Sequence, residues 1–444
     1  MTESRFPGEG MRDLFFLFAE NFKTMKNLFF TAVCTAALAI TGCEILNPSS
    51  RTGFTPSLHG GNAYVNGDNY LVCGPGVYVT AISYKGDYDW RKDDEYGRVK
   101  GSVKVFSGDE MILELPAGIG TEISLDADKH HFIDGHLYTT FASDSETVIK
   151  KDGNEFIRYK GAEDIKGMII KDGDFYSLGQ KTVGTGGFSL RKNGDPLLIR
   201  DSGTIWGSFS DPAYAENGAL YEDNGILYYS FYTSYREGAS TQERHWFLGK
   251  NQSISEIWLE GYIKNLYDMR VINGELYRIA SIADCPIVVF CEDFPYRFTN
   301  EELLLNHMDY YRLFPLGSSP YFFCSFRGKF NAKRTAWCSL WDVYKSVDGE
   351  VVGIYRDGNR YAAILKGGFI SNDAILWTSS DISEEYFDDN YEFQSAKCGA
   401  YANGGIYVAL NPKSEEDDPI LWSHIGTLKY KGLNGILTGV KVLK

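Results

Sequence analysis

The chain has 444 residues, 43% of them apolar and 15% aromatic, with 30 Tyr and 28 Phe beside 47 Gly and only 7 Met. That balance favours strands and turns over helices, in one large closed β domain or two or three ordinary ones. A formal net charge of −15 excludes the concentrated Lys and Arg that a phosphate backbone demands, so nucleic acid is not an expected partner.

At the front, residues 1–24 carry both charge signs and an apolar patch, Leu14 to Phe18, that no export signal needs before its own basic start. Met25 is therefore the expected start, with 1–24 a start-site artefact or a removed extension. From Met25 the chain reads MKNLFFTAVCTAALAITGC, a positive Lys26 followed by a short apolar run that ends in small residues. This pattern predicts a secretory signal, because the run is too short for a confident membrane span.

The end of that run, Ile40-Thr41-Gly42-Cys43, resembles the bacterial lipobox at every position. The resemblance implies a lipoprotein signal peptide over 25–42, lipidation of Cys43, a tether over 43–53, and a lipid bilayer as partner. Glu44 follows where the inner-membrane retention rule has Asp, which implies an outer-membrane lipoprotein of the cell envelope, on either face. Among the six later cysteines none shows CxxC or His-Cys metal spacing. Bridges Cys285–Cys291 or Cys324–Cys338 are open alternatives to buried free thiols.

A hairpin signal then recurs: AYVNGDNY at 63–70, FIDGHLY at 132–138, IIKDGDFY at 169–176, YEDNGILY at 221–228, RVINGELY at 270–277, IYRDGNRY at 354–361 and YANGGIYV at 401–408. Asn-Gly and Asp-Gly tolerate the positive φ of tight turns, and the flanking aromatic and branched residues fit a pleated surface. The turn glycines stand 68, 38, 52, 49, 84 and 46 residues apart. The longest gap holds a degenerate copy at 316–326, which brings the expected number of units to eight. A second hairpin follows most copies, as in Val148 to Gly153, Phe188 to Gly194 and Trp246 to Asn251. Each unit is thus about four short strands, the period of a propeller blade.

Together these paired hairpins resemble the β-propeller lipoproteins of Gram-negative bacteria that live on polysaccharides. The resemblance covers nearly all of 54–444 and implies an all-β chain folded as one propeller domain of seven or eight blades, eight preferred, each of about four antiparallel strands. A pair of β-sandwiches is the alternative. The closing Tyr of each hairpin reads as packing, and the C-terminal residues 432–444 supply strands near the ring closure, paired with the first strands after residue 54.

No nucleophile elbow, P-loop, HExxH or dinucleotide fingerprint is present. The densest polar cluster runs from Asp126 to His136; alternation puts Asp126, Asp128 and His130 on one side of a strand, a candidate metal or acid-base set beside the plain reading of a solvated strand. Acidic loops at 384–390 and 414–419 offer oxygens for Ca²⁺ but lack EF-hand spacing, so no cofactor is expected. Tyr88 and Trp90, in the acidic insertion 87–97, are the candidate sugar-stacking residues. The preferred function is a binding or scaffold module for carbohydrate or an envelope protein. Its rivals are a polysaccharide hydrolase or lyase and a structural part of an outer-membrane assembly.

Overall fold

A computed structural model describes residues 58, 61–84, 98–116, 123–124, 130–143, 145–181, 187–200, 205–208, 220–237, 241–257, 263–282, 285–291, 294–297, 308–316, 319–327, 333–339, 343–348, 350–357, 360–366, 374–378, 390–393, 396–414 and 416–444. Among them every regular element is a β-strand apart from one 3-10 turn, Ala396–Cys398. The strands form eight antiparallel sheets of three to five strands and two separate two-stranded ribbons.

Seven sheets use strands consecutive in the chain: sheet II spans 130–160, III 163–200, IV 205–257, V 263–297, VI 308–348, VII 350–378 and VIII 391–429. Sheet I differs. Its order is Gly435–Leu443, Gly76–Tyr84, Gly101–Ser107 and Glu110–Pro116, so the chain's last strand lies on the first long one.

Burial falls off across a sheet. Gly76–Tyr84 and Gly405–Pro412 are buried almost without interruption, whereas the last strands Glu110–Pro116 and Asn154–Lys160 are largely exposed. A strand buried on both faces needs a cover on each side, and the apolar clusters supply it. One joins Ile133, Tyr138 and Ile149 of sheet II to Ile165, Met168 and Phe175 of sheet III. The next joins Ile169, Leu178 and Leu190 to Leu227, Tyr229 and Phe247 of sheet IV. Ala362 and Ile364 of sheet VII meet Ile406 and Val408 of sheet VIII. Sheet VIII in turn packs Tyr407 and Ala409 against Val77, Val79 and Leu437 of sheet I.

Seven tight turns pair an Asn or Asp at φ 50–53° with a Gly at φ 74–91°. This is the two-residue geometry whose twist matches the strands it joins. In sheets II, III and IV the second hairpin braces the first. The amides of Asp152, Asn193 and Asn251 donate to the carbonyls of Leu137, Phe175 and Leu227. Their side chains in return accept from the amides of the same three residues at 2.8, 2.9 and 3.1 Å. Gly153 and Gly194 also permit close approach between sheets, since a Cβ there would lie 2.6 Å from Leu115 and 2.8 Å from Ile157. The closing Tyr138, Tyr228, Tyr277 and Tyr407 are at most 5% exposed, as packing residues should be.

Two expectations need correction. The copy at 63–70 belongs to no large sheet: Ala63–Val65 and Leu71–Cys73 form a ribbon of their own, because the five residues 66–70 between them do not make a tight two-residue turn. Sheet I therefore arises from strands that carry no copy of the signal. The terminal strand pairs, as expected, with one of the first strands after residue 54, Gly76–Tyr84. Cys285 and Cys291 lie at the two ends of one strand, six residues or roughly 20 Å apart, so they form no bridge with each other. In the other candidate pair Cys324 faces Ala336 and Cys338 faces Phe322, a two-residue offset rather than a direct pairing.

If the turn side chain is the brace, Asn251→Gly should cost about 1–2 kcal/mol by leaving the Leu227 amide without its acceptor, whereas Asn251→Asp should stay within about 0.5 kcal/mol of the parent; urea denaturation measures both. Ending the chain at Asn434 exposes the edge of Gly76–Tyr84 and should abolish the cooperative unfolding transition in calorimetry.

Candidate functional site

The ribbon is pinned to the sheets. Asn66 closes its turn by accepting, through Oδ1, the amides of Asp68 at 3.0 Å and Tyr70 at 2.9 Å. Leu71, 2% exposed, enters the cluster formed by Tyr78, Ile82, Val103 and Leu137. Below it the Tyr78 ring stacks on Phe132 at 5.4 Å, and the Tyr78 hydroxyl donates to the Gly74 carbonyl at 2.7 Å.

Asp152 is the centre of this junction. Its side chain is fully buried, and each oxygen is engaged: Oδ1 accepts from the Leu137 amide, and Oδ2 accepts from the Leu71 amide at 3.0 Å and from His136 Nδ1 at 2.7 Å. A carboxylate only accepts, so Nδ1 carries the proton and Nε2 is the ring's remaining polar atom. One carboxylate thereby ties the ribbon to both hairpins of sheet II and fixes the orientation of His136, whose side chain is 23% exposed.

Between ribbon, sheet II and the end of sheet I lies a pocket of about 640 Å³. Tyr70, Cys73, Asp134, His136, Lys151 and Lys444 contribute its chemistry. The Lys151 ammonium lies 5.6 Å from the centroid of the Tyr70 ring. Lys444 is paired with Asp357 of sheet VII. Burial pushes the Cys73 thiol up to about 11, a push the neighbouring Asp152 carboxylate reinforces, so this cysteine is a neutral thiol rather than a nucleophilic thiolate. The arrangement suits recognition of a polar ligand, with a ring to stack on, a cation and an oriented imidazole. That imidazole is also the one group here placed for proton transfer.

A second buried polar cluster is already complete. Glu163 accepts from Arg191 Nη2 at 2.8 Å, Ser189 Oγ at 2.6 Å and Tyr159 Oη at 3.0 Å, while the Arg191 guanidinium lies 3.8 Å above the Tyr159 ring. Its groups satisfy one another across sheets II and III, which is the condition under which a buried ion pair holds two elements in register.

Of the residues expected from the sequence, Cys43, Tyr88, Trp90, Asp126 and Asp128 lie outside the described residues, as does the acidic loop at 384–389. His130 is described: it sits on His130–Ile133 opposite Thr139, is 7% exposed and does not line the pocket. The solvated strand expected there is instead a buried one. Among the described residues no three His, Cys, Asp or Glu side chains group as metal ligands. In the acidic loop at 414–419, Asp418 accepts from the Gly432 amide at 3.0 Å while Glu416 and Asp417 are exposed. Sequence reasoning missed Lys151, Asp152 and His136 as a site. The available signal was the repeat itself, since Lys-Asp-Gly at 151–153 stands where Lys-Asn-Gly stands at 192–194, and His136 where Asp174 stands.

No family model and no curated protein matches the chain. Among solved structures it is similar to the dihydro-heme d1 dehydrogenase NirN in complex with DHE, at 11% identity over 88% of this chain and 77% of that one, with a TM-score of 0.44. It is also similar to a prolyl endopeptidase, at 9% identity over 76% and 56% with a TM-score of 0.42. The extracellular domains 1–2 of Drosophila Semaphorin 1a match at 9% identity over 86% and 88%, with a TM-score of 0.29. Likenesses at this level assign neither a fold family nor an activity to the chain.

Asp152→Asn should remove about 2 kcal/mol of stability, since the amide cannot accept both Leu71 N–H and His136 while serving Leu137. A change below about 0.5 kcal/mol in a urea melt would show that the carboxylate is not the tie.

Proposed function

We propose that the chain is a lipid-anchored β-propeller of the bacterial cell envelope that acts as a binding module, with carbohydrate as its ligand and the pocket around His136 and Lys151 as its seat. Eight blades, the last sheet followed by a strand that returns to the first, are the reading best supported by the succession of sheets and by apolar clusters that link II to III, III to IV, VII to VIII and VIII to I. The lipobox-like Ile40 to Cys43 supports the anchor. The observation that carries the binding role is the fixed polar pocket, in which a buried carboxylate presets an imidazole beside an aromatic ring and a lysine.

A hydrolase or lyase is the second reading, favoured by the 2.7 Å His136–Asp152 contact, which resembles the oriented base of acid-base enzymes. Affinity electrophoresis through gels containing plant, host and microbial polysaccharides, followed by product analysis, separates the two. Retardation with intact chains supports the binding module; released oligosaccharides identify an enzyme; neither result in a broad panel counts against both. Replacing Cys43→Ser should move the protein from the membrane to the soluble fraction of cells that express it, and unchanged membrane association would remove the lipid anchor from the reading.

A further inference from the structure

Sheets II and III are two copies of one design, and one difference between them points to a ligand. In sheet III, Lys192 precedes the second turn, lies 5.8 Å from the Tyr176 ring and pairs with Asp174 at 2.6 Å. Asp174 directly follows the Gly of the first turn and also accepts from Asn193 Nδ2 at 2.8 Å. In sheet II the equivalent lysine is Lys151, the equivalent ring is Tyr138, and the residue in the place of Asp174 is His136. The carboxylate that satisfies the lysine in one copy is missing from the other.

Lys151 keeps its aromatic surroundings without that partner. Its ammonium lies 5.6, 5.9 and 6.0 Å from the centroids of Tyr70, Phe156 and Tyr138, three faces that hold a cation in place. Among the described residues no carboxylate lies within ion-pair distance of it, whereas Lys166, Lys171 and Lys192 each have one. Nor is a partner available from the buried acid of the pocket, since Asp152 is saturated by three donors. Asp134, in the exposed turn, is the remaining acid of the lining. What sets Lys151 apart is its place: it lies at a pocket, among three rings, where the sister copy supplies a carboxylate and this one does not, and a bound anion fills that position.

We propose that this pocket takes a carboxylate-bearing sugar unit, a glycuronic acid, whose carboxylate occupies beside Lys151 the place that Asp174 occupies beside Lys192; the inference rests on the carbohydrate-binding reading and specifies its ligand class. Tyr70 offers the ring against which a pyranose face packs, and His136 Nε2 and Asn66 Nδ2 are polar groups for its hydroxyls.

Isothermal titration of the purified full-length chain in detergent, with a galacturonic acid trimer, its carboxyl-reduced galactose counterpart and inorganic phosphate, tests this. The acidic trimer should bind at least tenfold more tightly than the neutral one. Lys151→Met should lose at least tenfold for the acid with an unchanged melting temperature. The double change His136→Asp with Asp152→Asn, which copies sheet III, should abolish acid binding by giving Lys151 an internal partner. Equal binding of acid and neutral trimers would overturn the inference and leave the carbohydrate reading standing. Phosphate bound as tightly as the acidic trimer would overturn the sugar assignment in favour of a general anion site. Binding of neither trimer, together with no retardation in the polysaccharide gels, would remove both.

Discussion

A strand that is apolar on both faces must be covered on both, and the described sheets answer that requirement by packing on one another. Gly405–Pro412 is buried along its whole length because sheet VII covers one face and sheet I the other. No sheet could supply this alone, since its outer strand is too polar to cover anything. The burial gradient follows: Gly76–Tyr84 and Gly405–Pro412 are buried almost throughout, whereas the outer strands Glu110–Pro116, Asn154–Lys160 and Gly426–Lys429 are largely exposed.

Packing apolar faces together gives cohesion without register, and register comes from polar contacts at the turns. Within a sheet the side chain of one turn accepts the amide of the neighbouring hairpin, as Asn251 does for Leu227. Between sheets a turn carboxylate reaches forward: Asp223 of sheet IV accepts the amides of Asn273 and Gly274 of sheet V at 2.9 and 2.7 Å, and Asp357 of sheet VII accepts the Asn403 amide of sheet VIII at 2.5 Å. Asp152 keeps the within-sheet role and ties in the ribbon, so the same residue that completes a structural motif also shapes the pocket. The pocket is thus shaped by a local departure from the repeat together with the ribbon that packs on it.

This explains which parts were legible in the sequence. Turn chemistry is local, so Asp-Gly at 134–135, 152–153 and 172–173 announced hairpins that the structure contains, and the all-β class followed from them. The ribbon at 63–73 was misread because its Asn66-Gly67 looks like a two-residue turn, whereas the Asn66 side chain organises a longer loop. That 432–444 closes on the first strands after residue 54 was legible, whereas its register on Gly76–Tyr84 was not, because it is set by edge complementarity with a strand some 350 residues away. The pocket escaped for a related reason: Tyr70, His136, Lys151 and Lys444 meet only in the folded chain. His130 looked solvated beside its acidic neighbours, yet the strand it occupies is buried.

The pairing of Gly435–Leu443 with Gly76–Tyr84 also sets the order in which the chain can fold. Thr438 and Thr80 share a hydrogen bond at 3.3 Å across 358 residues, so sheet I cannot acquire its edge strand until the last residues have been made. Contacts of such sequence separation form late and slowly, because the entropy of closing the loop comes before the stabilisation. Until that strand is made, one edge of Gly76–Tyr84 keeps its row of backbone N–H and C=O groups open, an adhesive border that only Gly435–Leu443 covers.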